Sequence, residues 1–152
     1  MKKKEAVADV LESESKSTIA DWITRVDSEA DIIGIPMTSK DRSAHLPAMF
    51  RDLVTRLRSP LPLGTRALTS DAAHDHGLCR REQGYTPALM VEESRILQVS
   101  IFQTLQLNLG RLDASVLLMD VMAIADEVDS QLAQAMTSYI KEADIDGRPV
   151  EP

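Results

Sequence analysis

Residues 113–143 read DASVLLMDVMAIADEVDSQLAQAMTSYIKEA, and their pattern decides the fold. The stretch holds neither glycine nor proline, so nothing in it interrupts a helix. Asp113 can cap the first turn, and a helix from there to about Ala143 would be about 45 Å long. Leu118, Ala125, Leu132 and Tyr139 fall at one heptad position, and Val121, Val128 and Ala135 at the other, before Glu142 breaks the series. Three consecutive heptads predict a coiled-coil-like contact, within a bundle or between two chains, and the spacing leaves both open.

The 3.6-residue period extends outward to most of the chain. A first helix is predicted over 4–32 with a break near Ser13–Ser17; its second half carries the stripe Ile19, Trp22, Ile23, Val26, and Gly34 and Pro36 stop it. A second is expected from Ser39, with Pro47 either kinking it or marking its true start. A third should cover 69–82 and close at Gly84. Thr86-Pro87 opens a fourth, with the hydroxyl as cap and proline at the first helical position, running to about Asn108. Period-two strands and internal repeats are absent. The prediction is an all-α, single-domain bundle of five or six helices with a long C-terminal helix, a globin-like arrangement being one option. The domain is expected over 1–143, with 144–152 a polar tail or linker.

A chain of 152 residues has the size of one domain, and 43% apolar with 27% charged residues is ordinary globular composition. Aromatics are only 3%, poor material for sheets. The net charge of −7 opposes binding to nucleic acid or to an anionic membrane surface. No apolar run is long enough to span a bilayer, and Lys2-Lys3-Lys4 is followed by Glu5, Asp9 and Glu12 where a signal peptide needs its apolar core. The single cysteine, Cys79, permits no internal disulfide and fits a reducing compartment, so a cytoplasmic location is expected.

Chemistry-bearing residues concentrate in 71–85. His74 and His76 lie about 200° apart on a helix and cannot share one ion there, so no metal site is predicted. Cys79 beside Arg80 and Arg81 reads better as a small packing residue than as a nucleophile. Glu92 and Glu93 point about 100° apart and cannot act on one atom. No phosphate loop or nucleophile elbow occurs, and no enzyme and no cofactor are expected. The residues make better sense as a polar site between helices. Gly77 inside a helix costs about 1 kcal/mol relative to alanine, which implies close approach of another backbone or of a ligand. His76, Arg80 and Gln83 follow at successive turns, and an arginine can reach Glu92 or Glu93 across the Gly84–Pro87 connection. A solvated charged face is the plainer alternative.

The string from His74 to Leu97 resembles the RsbRD N-terminal domain family, found at the front of stressosome co-antagonist proteins and of some sensor histidine kinases. His74, His76-Gly77 and Arg80 match its first part, Gln83-Gly84-Tyr85 its turn, and Leu89, Val91, Glu93, Arg95 and Leu97 its helix. Trp22 and His45-Leu46-Pro47 are also similar. Two positions depart: Ser94 stands where the family often has an aromatic, and Gln98 where it often has arginine. The resemblance spans about residues 15–140, with its specific part in the middle. It implies a non-catalytic input domain whose effect passes through the C-terminal helix to an output domain or protein partner. On this basis the ligand or interhelical polar site is expected at His74, His76, Gly77, Arg80, Gln83, Glu93 and Arg95, and a homodimer along the last helix. Alternatives are a small-molecule or haem sensor, with His45, His74 or His76 as axial ligand, and a pure adaptor.

Overall fold

The computed structural model describes residues 3–65 and 68–146, with side chains through Lys141. Those residues form α1 (Val7–Ser13), α2 (Ser15–Val26), α3 (Ala30–Ile33), α4 (Ser39–Arg42), α5 (Leu46–Leu57), α6 (Asp71–Glu82), α7 (Pro87–Leu107) and α8 (Ala114–Asp146), with a 3-10 turn at Leu109–Arg111 before α8. They contain no strand, and none of their helices is long and apolar enough to cross a membrane.

Local chemistry explains the boundaries. The first predicted helix is three: Glu14 leaves helical geometry between α1 and α2, and α2 ends at Val26 rather than near Ile32. Its stripe packs as predicted, with Trp22 and Val26 buried and Ile19 and Ile23 partly so. The helix expected from Ser39 begins there, capped by Thr38, whose hydroxyl accepts from the Asp41 amide at 3.1 Å. Pro47 marks a true start, standing in the first turn of α5. Ser70 and Thr86 cap α6 and α7 through the amides of Ala73 and Leu89. Asp113 receives the Ser115 amide at 3.0 Å. α8 continues to Asp146, three residues into the predicted tail; residues 147–152 of that tail lie outside the described residues.

α6 lies along α8, α2 and α7 pack together, and α5 bridges α1 and α8. The core runs through all of them, from Val10 and Leu11 through Leu53 and Ile101 to Ile124. The first two predicted helices are thus divided into shorter ones, while the class and the long last helix are as expected.

The heptad seam is corrected by one residue at Leu118, Ala125 and Leu132, whereas Val121, Val128, Ala135 and Tyr139 of the predicted seam are buried or partly so. Leu117, Val121, Ile124, Val128, Gln131, Ala135 and Ser138 face the core of the same chain, buried or partly so, whereas Leu118 is 72% exposed and Ala125 and Leu132 are only half-buried. Gln131 and Ser138 are polar and hid the true column. Gln131 satisfies itself on the Met49 carbonyl at 3.0 Å and Ser138 on the His74 carbonyl at 2.7 Å.

Candidate functional site

The ending of α6 builds the site. Gly84, at φ +88°, ends the helix in a Schellman turn. The Tyr85 amide donates back to the Arg80 carbonyl at 3.0 Å, and the Gly84 amide to that of Arg81 at 3.2 Å. That reversal turns Tyr85 inward, where it is 1% exposed, and sets α7 alongside so that Glu93 faces Arg80.

Arg80 is fully buried, so the solvated charged face is excluded for it. Its Nε donates to Glu93 Oε1 at 2.9 Å and its Nη2 to Glu93 Oε2 at 3.2 Å, a bidentate pair. Nη1 donates to Gln83 Oε1 at 2.6 Å, and Nη2 also reaches the Arg42 carbonyl. The guanidinium lies 4.4 Å from the centre of the Tyr85 ring. The Tyr85 hydroxyl donates to Glu93 Oε2 at 2.6 Å and accepts from Arg42 Nη1. Arg42, 5% exposed, is also held by the carbonyls of Ile32 and Ile35. Trp22 Nε1 donates to the Glu93 carbonyl at 3.2 Å, tying in α2.

His76 completes the cluster without a direct hydrogen bond: its Nε2 stands 3.6 Å from Glu93 Oε1, and its Nδ1 has no partner among the described residues. The His45 ring meets it edge-on, centroids 5.4 Å apart. Burial keeps both imidazoles below their ordinary range. Burial alone would raise the Glu93 carboxyl, but His76, Arg80 and Tyr85 together hold it low, so it stays ionised. Burial, then the charge of Glu93, pushes the Tyr85 hydroxyl up and keeps it a donor.

Gly77 answers the close approach read from its position. A Cβ there would meet the Ala135 carbonyl oxygen at 2.0 Å and the Ser138 hydroxyl at 2.2 Å. The neighbour is therefore the backbone of α8. A second link joins the cluster to that helix: Tyr139 Oη donates to the Tyr85 carbonyl at 2.6 Å.

The structure brings together His76, Gly77, Arg80, Gln83 and Glu93, but not His74 or Arg95. His74 is exposed on the opposite face of α6, as two-residue spacing on a helix dictates. Arg95 is exposed and pairs with Glu92 one turn back. Arg42, Tyr85 and Trp22 belong to the cluster and were not among the predicted site residues. Tyr85 and Trp22 stood in the quoted motifs, whereas Arg42 sits on a four-residue helix with no periodicity to mark it.

Beside the cluster a cavity of about 30 Å³ lies where α2, α5, α6, α7 and α8 meet, walled mainly by apolar side chains such as Trp22, Met49, Met90 and Leu97. It has room for about two waters. A haem does not fit it, and no group of three metal-ligating side chains occurs among the described residues. Burial raises the Cys79 thiol, which keeps it protonated at neutral pH.

A second polar group sits at the α5–α8 contact. Glu127 is 5% exposed, and its carboxylate accepts from Gln131 Nε2 at 3.3 Å. Burial pushes its carboxyl up to about 7. Arg56 nearby is turned to the Leu61 and Pro62 carbonyls and lies 3.7 Å from Asp126.

No family model matches the chain, and neither does any curated protein or solved structure. The likeness to the RsbRD N-terminal family therefore rests on the quoted residues alone.

Proposed function

We propose that this chain is a non-catalytic sensory or regulatory input domain of a bacterial signal-transduction protein, of the stressosome co-antagonist or sensor histidine kinase type. In this reading it works in the cytoplasm and passes its state through α8 to a downstream domain or protein partner. The supporting observation is that the motif residues His76, Gly77, Arg80, Gln83, Tyr85 and Glu93 meet in one buried cluster joined to α8 at Ala135 and Tyr139. A relay needs two states that a signal biases. A buried ionic cluster suits that role, since its members cannot be separated singly without leaving a charge unpaired.

The test is Tyr139→Phe in the cell, which removes the hydroxyl link to Tyr85 and keeps the ring. The expected result is an altered stress-regulon transcript profile at unchanged abundance of the protein. A profile identical to wild type overturns the relay and favours a pure adaptor.

A homodimer belongs to the same proposal, confined to the start of α8. Val128, Ala135 and Tyr139 are used inside the fold, whereas Leu118 and Met119 are each 72% exposed and Met122 47%. Exposed apolar side chains grouped in this way mark contact surfaces more often than free ones.

A further inference from the structure

Pro47, Phe50 and Val54 recur at helical spacing on α5 and make an apolar stripe about 10 Å long. With Ile19 of α2 they line an open groove of about 520 Å³ between α5 and the junction of α1 with α2. That volume lies within the range of small-molecule sites, about 300–1,000 Å³. Phe50 and Val54 are buried and Ile19 is partly so. No large apolar side chain of α1, α2 or α5 is otherwise exposed. The apolar surface therefore ends with the groove, too small an area for a protein interface, which needs about 800 Å² from each partner.

The polar edge sets the charge of the guest. Lys16, Arg51 and Arg58 line the groove against one carboxylate, Glu12. Arg58 is already engaged: its Nη1 donates to Glu12 Oε2 at 3.0 Å and its Nη2 to Asp9 Oδ1 at 2.6 Å. Lys16 and Arg51 are exposed and have no ion-pair partner among the described residues. In a chain of net charge −7, this groove is thus edged by two uncompensated cations. The hydroxyls of Ser15 and Thr55 also line it and make no hydrogen bond among the described residues, which leaves them as donors for an anion's oxygens.

We propose that this groove binds a small amphiphilic anion, a monocarboxylate with a linear apolar body, its head group drawn to Lys16 and Arg51 and its body laid along Pro47, Phe50 and Val54. The site goes beyond the regulatory reading and does not depend on it, since no residue of the Arg80 cluster lines the groove.

Octanoate and octylammonium decide it, having nearly the same chain and opposite head charge. Titrated into the ¹⁵N-labelled chain, octanoate should give saturable shifts around residues 16, 19, 51 and 54, and octylammonium should bind there about tenfold more weakly. Lys16→Glu with Arg51→Glu, both at exposed positions, should reverse the preference. Thr55→Trp, also at an exposed position, should fill the groove and remove octanoate binding. Equal affinities on wild type overturn the anion assignment, and an unchanged preference in the double variant overturns the role of the two cations. Saturable shifts confined to residues 107–122, where exposed apolar side chains gather, or no saturable shift at all, overturn the site. A wild-type dimer that Thr55→Trp converts to a monomer gives the groove to a second copy and overturns the small-molecule assignment. The wild-type comparison decides even if the variants fail to fold.

Discussion

Gly77 and Ala135 bring two helix backbones so close that a methyl on residue 77 would stand 2.0 Å from the Ala135 carbonyl oxygen. Backbone cannot yield as a flexible side-chain end does, so α6 and α8 would have to part. Gly77→Ala should therefore cost about 2–3 kcal/mol despite its gain in helix propensity. Urea denaturation reads this; a stability equal to or above wild type contradicts the contact.

Arg80 and Glu93 form the ion pair at the centre of the cluster, and each is buried. Arg80→Met or Glu93→Leu alone should cost about 3–5 kcal/mol, because each strands the opposite charge. The double variant should cost clearly less than the sum. Additive losses in a four-protein denaturation cycle would show that the pair is not coupled.

Glu127 gives the stability a pH dependence of definite sign. Its carboxyl titrates at about 7 in the fold against 4.5 for a solvent-exposed glutamate, so folding takes up a proton between those values. That contribution is complete below about pH 4.5 and is lost as pH rises through 7. Glu127→Gln should raise stability by up to about 3 kcal/mol at pH 8 and leave it unchanged near pH 4. A variant with the wild-type pH profile would place the titration elsewhere.

His76 acts in the opposite direction. Its folded value lies below the ordinary 6.5, so its contribution is present above that pH and is lost as the solution becomes acid. His76→Phe should flatten the acid side of the stability curve, which melts at several pH values would reveal.

The two halves of the last helix should respond differently. Val128→Ala removes a 5%-exposed core side chain and should cost about 2 kcal/mol. Leu118→Lys with Met119→Lys should change stability by no more than about 0.5 kcal/mol and convert a dimer to a monomer in native mass spectrometry. A wild-type chain that is already monomeric at micromolar concentration removes the homodimer.

Much of the fold was legible because helix signals are local. Thr86-Pro87 opened α7 and Gly84 closed α6 through the dihedrals and hydrogen bonds of the residues themselves. The site was legible in part for the same reason: His76, Arg80 and Gln83 share a face by spacing, and Gly77 announces a close neighbour. The neighbour's identity was not legible, since nothing near Gly77 in the chain names Ala135, 58 residues away by their numbering. His74 and Arg95 were misplaced because a motif lists positions and does not say which side of the helix each one takes.

By itself, then, the sequence determined the all-α class, the long last helix and a polar concentration around residues 71–85, all consequences of backbone propensity, periodicity and capping. Only the tertiary structure decided which stripe of α8 is core. Hydrogen bonds to the Met49 and His74 carbonyls let polar Gln131 and Ser138 go inside while Leu118 stays out. It alone brought Arg42 and Tyr85 to Glu93, because burial of a charge depends on partners that chain-distant helices supply.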